Sequence, residues 1–125
     1  IFDNIPNAGI ISNLTISGGF IESSNIYDQY YSGGGLMVLF SNPIIHDVTI
    51  RDNTASLGGG LSLFISPNTM LYNITISNNT AYNCGGMSTL GSDIFNASNL
   101  IIKNNSATGV YSSGGGLGIR GGEIF

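Results

Sequence analysis

A two-part pattern that returns every 26 residues constrains this chain more than any other feature. Asp47-Val48-Thr49-Ile50, Asn73-Ile74-Thr75-Ile76 and Asn99-Leu100-Ile101-Ile102 start 26 residues apart. They run on in register into Asp52-Asn53-Thr54-Ala55, Asn78-Asn79-Thr80-Ala81 and Asn104-Asn105-Ser106-Ala107. A glycine block follows each unit: Gly58-Gly59-Gly60-Leu61, Cys84-Gly85-Gly86-Met87 and, four residues late, Gly114-Gly115-Gly116-Leu117. An earlier unit opens with Asn13-Leu14-Thr15-Ile16 and reaches Gly33-Gly34-Gly35-Leu36 nine residues late. The surplus residues read as insertions near 21–32 and 108–113. A self-similar period of this length is the mark of a repeat architecture in which each unit buries its apolar face only against its neighbours.

Within each unit the hydrophobic alternation is two-fold, as in half-buried strands. Val48 and Ile50, Ile74 and Ile76, Leu100 and Ile102 are expected inside, with Thr49, Thr75 and Ile101 outside. Leu36 and Val38, Leu61 and Leu63, Leu117 and Ile119 repeat the alternation after the glycines. No stretch keeps a 3.6-residue period with helix caps, and the leucine-rich-repeat spacing is absent. Two clear strands and a weaker third per 26 residues fit one coil of a parallel β-helix, each strand pairing with its equivalent one coil away at about 4.8 Å.

Stacking assigns roles to single residues. Asn53, Asn79 and Asn105 fall at one corner in successive coils, where their amides can form a hydrogen-bonded ladder. Asn tolerates the left-handed backbone region better than other non-Gly residues, and Gly19 holds the same position in the first unit. These observations predict a left-handed corner at the ladder itself. Ala55, Ala81 and Ala107 read as small residues packed beneath it. The glycine blocks recur at coil spacing before strands, without the helix that a phosphate-binding loop requires, so they read as stacked turns. Cys84, the single cysteine, takes the slot of Gly58 and Gly114 and reads as an inert small thiol.

Composition excludes several functions. Charged residues make up 8% of the chain, against roughly 25% in an average soluble domain. The net charge is −4 and the cations are Arg51, Lys103 and Arg120, so no basic patch exists to neutralise nucleic-acid phosphates. No apolar run approaches the roughly 20 residues of a membrane span. With 42% hydrophobic residues, disorder is not the natural reading either.

Asp-Asn-Thr-Ala (52–55), Asn-Asn-Thr-Ala (78–81) and Asn-Asn-Ser-Ala (104–107), alternating with Gly-Gly-Gly-Leu (58–61 and 114–117), resemble repeats of the polymorphic outer-membrane-protein type. Those repeats sit within the pectate-lyase-like superfamily of right-handed β-helix surface proteins, and the likeness spans roughly residues 10–120. This chain departs from the family pattern in carrying Gly-Gly-Leu or Gly-Gly-Met for Gly-Gly-Ala-Ile. It also has Ile50, Ile76 and Ile102 where Phe is common. The fold expected is all-β: one right-handed parallel β-helix solenoid over residues 1–125, of about four coils with a 26-residue repeat. The resemblance implies a segment displayed at a surface and often adhesive.

The same superfamily holds polysaccharide lyases and glycosidases, which resemble one another in using clustered carboxylates, with Ca²⁺ and an Arg or Lys base in the lyases. The one site-like cluster is His46, Asp47, Arg51 and Asp52. Asp47 aligns with Asn73 and Asn99, and Asp52 with Asn78 and Asn104, so both acids read as charged variants of a structural column. No catalytic residue, metal site or cofactor is expected, and an enzyme acting on a polysaccharide is the runner-up. Tyr27, Tyr30 and Tyr31, inside the larger insertion, are a candidate recognition loop for sugars or a partner protein. Five Asn-x-Ser/Thr sequons, at Asn13, Asn73, Asn78, Asn96 and Asn104, point to N-glycosylation and a secretory route. The expected role is a structural or adhesive extracellular or cell-surface glycoprotein segment. Neither end reads as a polar cap, so further coils of the same chain, or neighbouring subunits stacked into a filament, are expected as partners.

Overall fold

The computed structural model describes residues 2–3, 9–22, 32–91, 96–110 and 114–120. Every regular element among them is a strand: β1 (Phe2–Asp3), β2 (Ile10–Ser17), β3 (Leu36–Leu39), β4 (Ile44–Arg51), β5 (Thr54–Leu57) and β6 (Leu61–Phe64). The series continues with β7 (Met70–Ser77), β8 (Thr80–Asn83), β9 (Met87–Leu90), β10 (Asn96–Lys103), β11 (Ser106–Ala107) and β12 (Leu117–Arg120). Three parallel sheets run β2-β4-β7-β10, β5-β8-β11 and β1-β3-β6-β9-β12. This is a parallel β-helix, and the three sheets are its sides.

The inner column is built by the alternation. Val48, Ile50, Ile74 and Ile76 stack on one side of the core and Leu36, Val38, Leu61, Leu63 and Met87 on another, all buried. Ile16, Leu100, Ile102 and Leu117 continue it half-buried. Full burial of one such side chain is worth about 1.5–3 kcal/mol, so the column dominates stability. Thr49 and Thr75 are only half-buried, and Ile101 is exposed. The alternation fails in the β3-β6-β9 sheet, where Met37, Ser62 and Ser88 are buried although they fall between inward positions. Ser88 Oγ and Ser62 Oγ hydrogen-bond to each other at 3.0 Å in that second buried layer.

The corners are columns of left-handed residues. Asn13, Asp47, Asn73 and Asn99 have φ of 52–56° and bend β2, β4, β7 and β10 in their middles. Gly18, Asp52, Asn78 and Asn104 form the second column, and Gly33, Gly58, Cys84 and Gly114 the third. Phe40, Ile65 and Gly91 form the fourth. This corrects the expectation for the ladder. Asn53, Asn79 and Asn105 do not adopt the left-handed region; the residue before each of them does. Gly19 likewise is not at positive φ, and its reason is steric: a Cβ there would overlap the Gly34 carbonyl oxygen. The coil turns on the first residue of each Asx-Asn pair, which frees the second to point inward.

The inward Asn explains the glycines. Asn79 Oδ1 accepts from the Asn53 backbone N–H and from Asn53 Nδ2, both at 3.0 Å. Asn79 Nδ2 donates to Asn105 Oδ1 and to the Ile50 carbonyl, also at 3.0 Å. Both lone pairs and both N–H groups are therefore used, the full capacity of an amide. The third glycine of the first three blocks lies against this column: a Cβ on Gly35, Gly60 or Gly86 would come within 2.8 Å of the Nδ2 of Asn53, Asn79 or Asn105. The second glycine abuts the carbonyl of Thr54, Thr80 or Ser106. At the first position of its block Cys84 stands in place of glycine, at φ 54°. A Cβ on Gly58 would meet Ser88 Oγ at 2.5 Å, whereas the residue paired with Ser88 one coil on is Gly118, which leaves room for Cys84.

Candidate functional site

The outward face of the β2-β4-β7-β10 sheet carries most of the polar chemistry among the described residues. Because strands pair in parallel and in register, each outward position becomes a column. Ser12, His46, Tyr72 and Ser98 form one, Thr15, Thr49, Thr75 and Ile101 another, and Ser17, Arg51, Ser77 and Lys103 a third. The left-handed column led by Asn13 and Asp47 crosses this face, and the one led by Gly18 and Asp52 bounds it.

The site-like cluster falls on one coil, at β4 and the corner after it. His46 Nδ1 and Asp47 Oδ2 are 2.8 Å apart, and Asn73 Nδ2 donates to Asp47 Oδ1 at 2.9 Å. Asn99 Nδ2 donates in turn to Asn73 Oδ1 at 2.9 Å. Asp47, Asn73 and Asn99 are thus an exposed side-chain ladder parallel to the buried one. The hydrogen bond with His46, and after it the one from Asn73, hold the Asp47 carboxyl below its ordinary range. Arg51 pairs with Asp52 on the exposed surface. Each acid therefore already has its partner: Asp47 in the ladder and with His46, Asp52 with the neighbouring guanidinium.

The buried ladder residues Asn53 and Asn79 are inaccessible, and Asn105 is half-buried. Of the sequon residues, Asn13, Asn73, Asn78 and Asn104 are exposed and left-handed. Asn96 begins β10. Tyr27, Tyr30 and Tyr31 lie outside the described residues, as does most of the span assigned to the two insertions.

One feature of the surface went unread in the sequence. Phe40 and Ile65 sit at left-handed corners with exposed side chains, and Phe64 packs edge-on against Phe40 at 5.5 Å between ring centroids. Leu90, also exposed, lies beside them in the β3-β6-β9 sheet. A β-branched residue at positive φ is rare and strained. The signal was Gly91, which occupies the same position one coil after Ile65.

A family model described as the right-handed beta helix region matches residues 1–124. No curated protein and no solved structure matches the chain. With parallel sheets on three sides, left-handed corners in register and a family match over nearly its whole length, the chain belongs to the right-handed β-helix family.

Proposed function

We propose that this chain is a structural or adhesive segment of an extracellular or cell-surface glycoprotein, of the kind whose repeats resemble polymorphic outer-membrane proteins. The observation that carries the reading is the use made of the polar residues on the outward face. Asp47 and Asp52 sit at corners where other coils have Asn or, at Gly18, glycine, and Asp47 is joined to Asn73 within a ladder. Short amides and hydroxyls stacked in columns make a surface that is polar, nearly uncharged and rigid, suited to display and to lateral contact. Its partners are neighbouring coils or subunits, and glycans or a receptor met through Tyr27, Tyr30 and Tyr31. The sequons favour a secretory route. Immunogold labelling of the native protein at the cell surface or in the extracellular matrix is the expected result; confinement to the cytosol overturns the reading.

A second reading, a protein that binds or cleaves a polysaccharide, rests on the coil that carries His46, Asp47, Arg51 and Asp52 on one exposed edge. Depolymerisation of a polyuronide by the purified protein, abolished by Asp47→Asn or Asp52→Asn, would establish it in place of the first.

A further inference from the structure

The sequons are not equivalent once the coils stack. The atom that takes the sugar is the amide nitrogen, and that of Asn73 donates to Asp47 Oδ1 while Asn73 Oδ1 accepts from Asn99. Asn73 is therefore held at both ends in the exposed ladder. Asn78 and Asn104 are exposed at left-handed corners, and neither side chain is hydrogen-bonded among the described residues. They stand on adjacent coils at the same position, bracketed by the pairs Ser77 with Lys103 and Thr80 with Ser106. One strand spacing, about 4.8 Å, separates them. An N-acetylglucosamine ring with its acetamido arm is broader than that, and two side chains leaving equivalent corners point the same way.

We propose that this corner carries one N-linked glycan per chain, on Asn78 or on Asn104 but never both. The inference rests on the secretory reading above. The modification joins the amide nitrogen to the anomeric carbon of N-acetylglucosamine from a lipid-linked sugar diphosphate. The bond from that carbon to the diphosphate oxygen breaks, the diphosphate leaves with the electron pair, and the nitrogen gives up one proton. A chain modified at both asparagines cannot bring β7 and β8 against β10 and β11 without driving the two sugars together, so it does not fold and is not secreted.

The test is site occupancy in the full-length protein secreted from eukaryotic cells, with glycans trimmed to a single sugar. Intact mass gives the number per molecule. Peptide mapping separates Asn78 from Asn104, because cleavage after Lys103 falls between them. Thr80→Val destroys the sequon of Asn78 while leaving Asn78 on its corner, and Ser106→Ala does the same for Asn104. The expected result is a pair of occupancies at the two sites that sum to no more than one per molecule. Each variant is also expected to raise occupancy of the other site, severalfold where that site is the minor one. Folded molecules bearing both sugars overturn the single-glycan corner while leaving the secretory reading intact. A protein with every sequon bare overturns both.

Discussion

Asn79 is the most heavily committed side chain in the structure, with four hydrogen bonds closed inside a buried column. Asn79→Ala removes the acceptor of the Asn53 backbone N–H and takes one donor each from the Ile50 carbonyl and Asn105 Oδ1. An unsatisfied buried group costs about 1–3 kcal/mol, so a loss on the order of 3–4 kcal/mol is expected in denaturant unfolding. Asn79→Asp should be at least as damaging, because a carboxylate oxygen would then face Asn105 Oδ1 and the Ile50 carbonyl, two acceptors. A variant that unfolds like the wild type would mean the ladder contributes nothing. Asp47 tests the exposed ladder. Its carboxyl is held below the ordinary value of about 3.9, so it favours the folded state above that pH. This contribution fades as pH falls through the lowered folded-state value. Asp47→Asn should therefore be slightly less stable than wild type at neutral pH, and the gap should close in acid. A melting-temperature difference that widens on acidification would contradict the sign.

At the scale of elements, the corners decide where strands end. Glycine and asparagine fill most left-handed positions, but Ile65 adopts φ 46° with its side chain in solvent. The left-handed region costs a residue with a Cβ roughly 1–2 kcal/mol, and more when it is β-branched. Glycine in its place forfeits about 0.5–1 kcal/mol through the entropy of the unfolded chain. Ile65→Gly is expected to stabilise the protein by about 0.5–1 kcal/mol, with a matching rise in melting temperature. Destabilisation instead would mean that the exposed Phe40, Ile65 and Leu90 strip contributes packing that outweighs the strain.

For the whole molecule, stability comes from the inner column and the hydrogen-bond ladders, and hardly from charge. The chain carries ten ionisable side chains of the Asp, Glu, Lys and Arg types, and its ion pairs among the described residues, His46–Asp47 and Arg51–Asp52, are exposed. Exposed pairs are weak and screened by salt. Raising salt from about 0.05 to about 0.5 M should move the melting temperature by no more than about 2 °C. A large drop would show that surface electrostatics hold the coils together.

The amino-acid sequence by itself determined the architecture. A 26-residue period, two-fold alternation at Val48–Ile50 and Ile74–Ile76, and asparagines in register leave few folds other than stacked coils. It also showed Asp47 and Asp52 as variants of asparagine columns, because the alignment of one unit on the next is visible without coordinates. Tertiary structure alone decided which member of each Asx-Asn pair turns the chain. Asn78 and Asn79 have the same propensity for the left-handed region, and only closure of the coil makes Asn78 turn while Asn79 meets Asn53 and Asn105. The same holds for Phe40 and Ile65, whose backbones are set by partners such as Phe64 and Leu90 one coil away rather than by their own preference. In a solenoid the neighbours that fix a residue's conformation lie a full repeat away in the chain. Local sequence therefore reveals the period, and only the stacked coils reveal the corner.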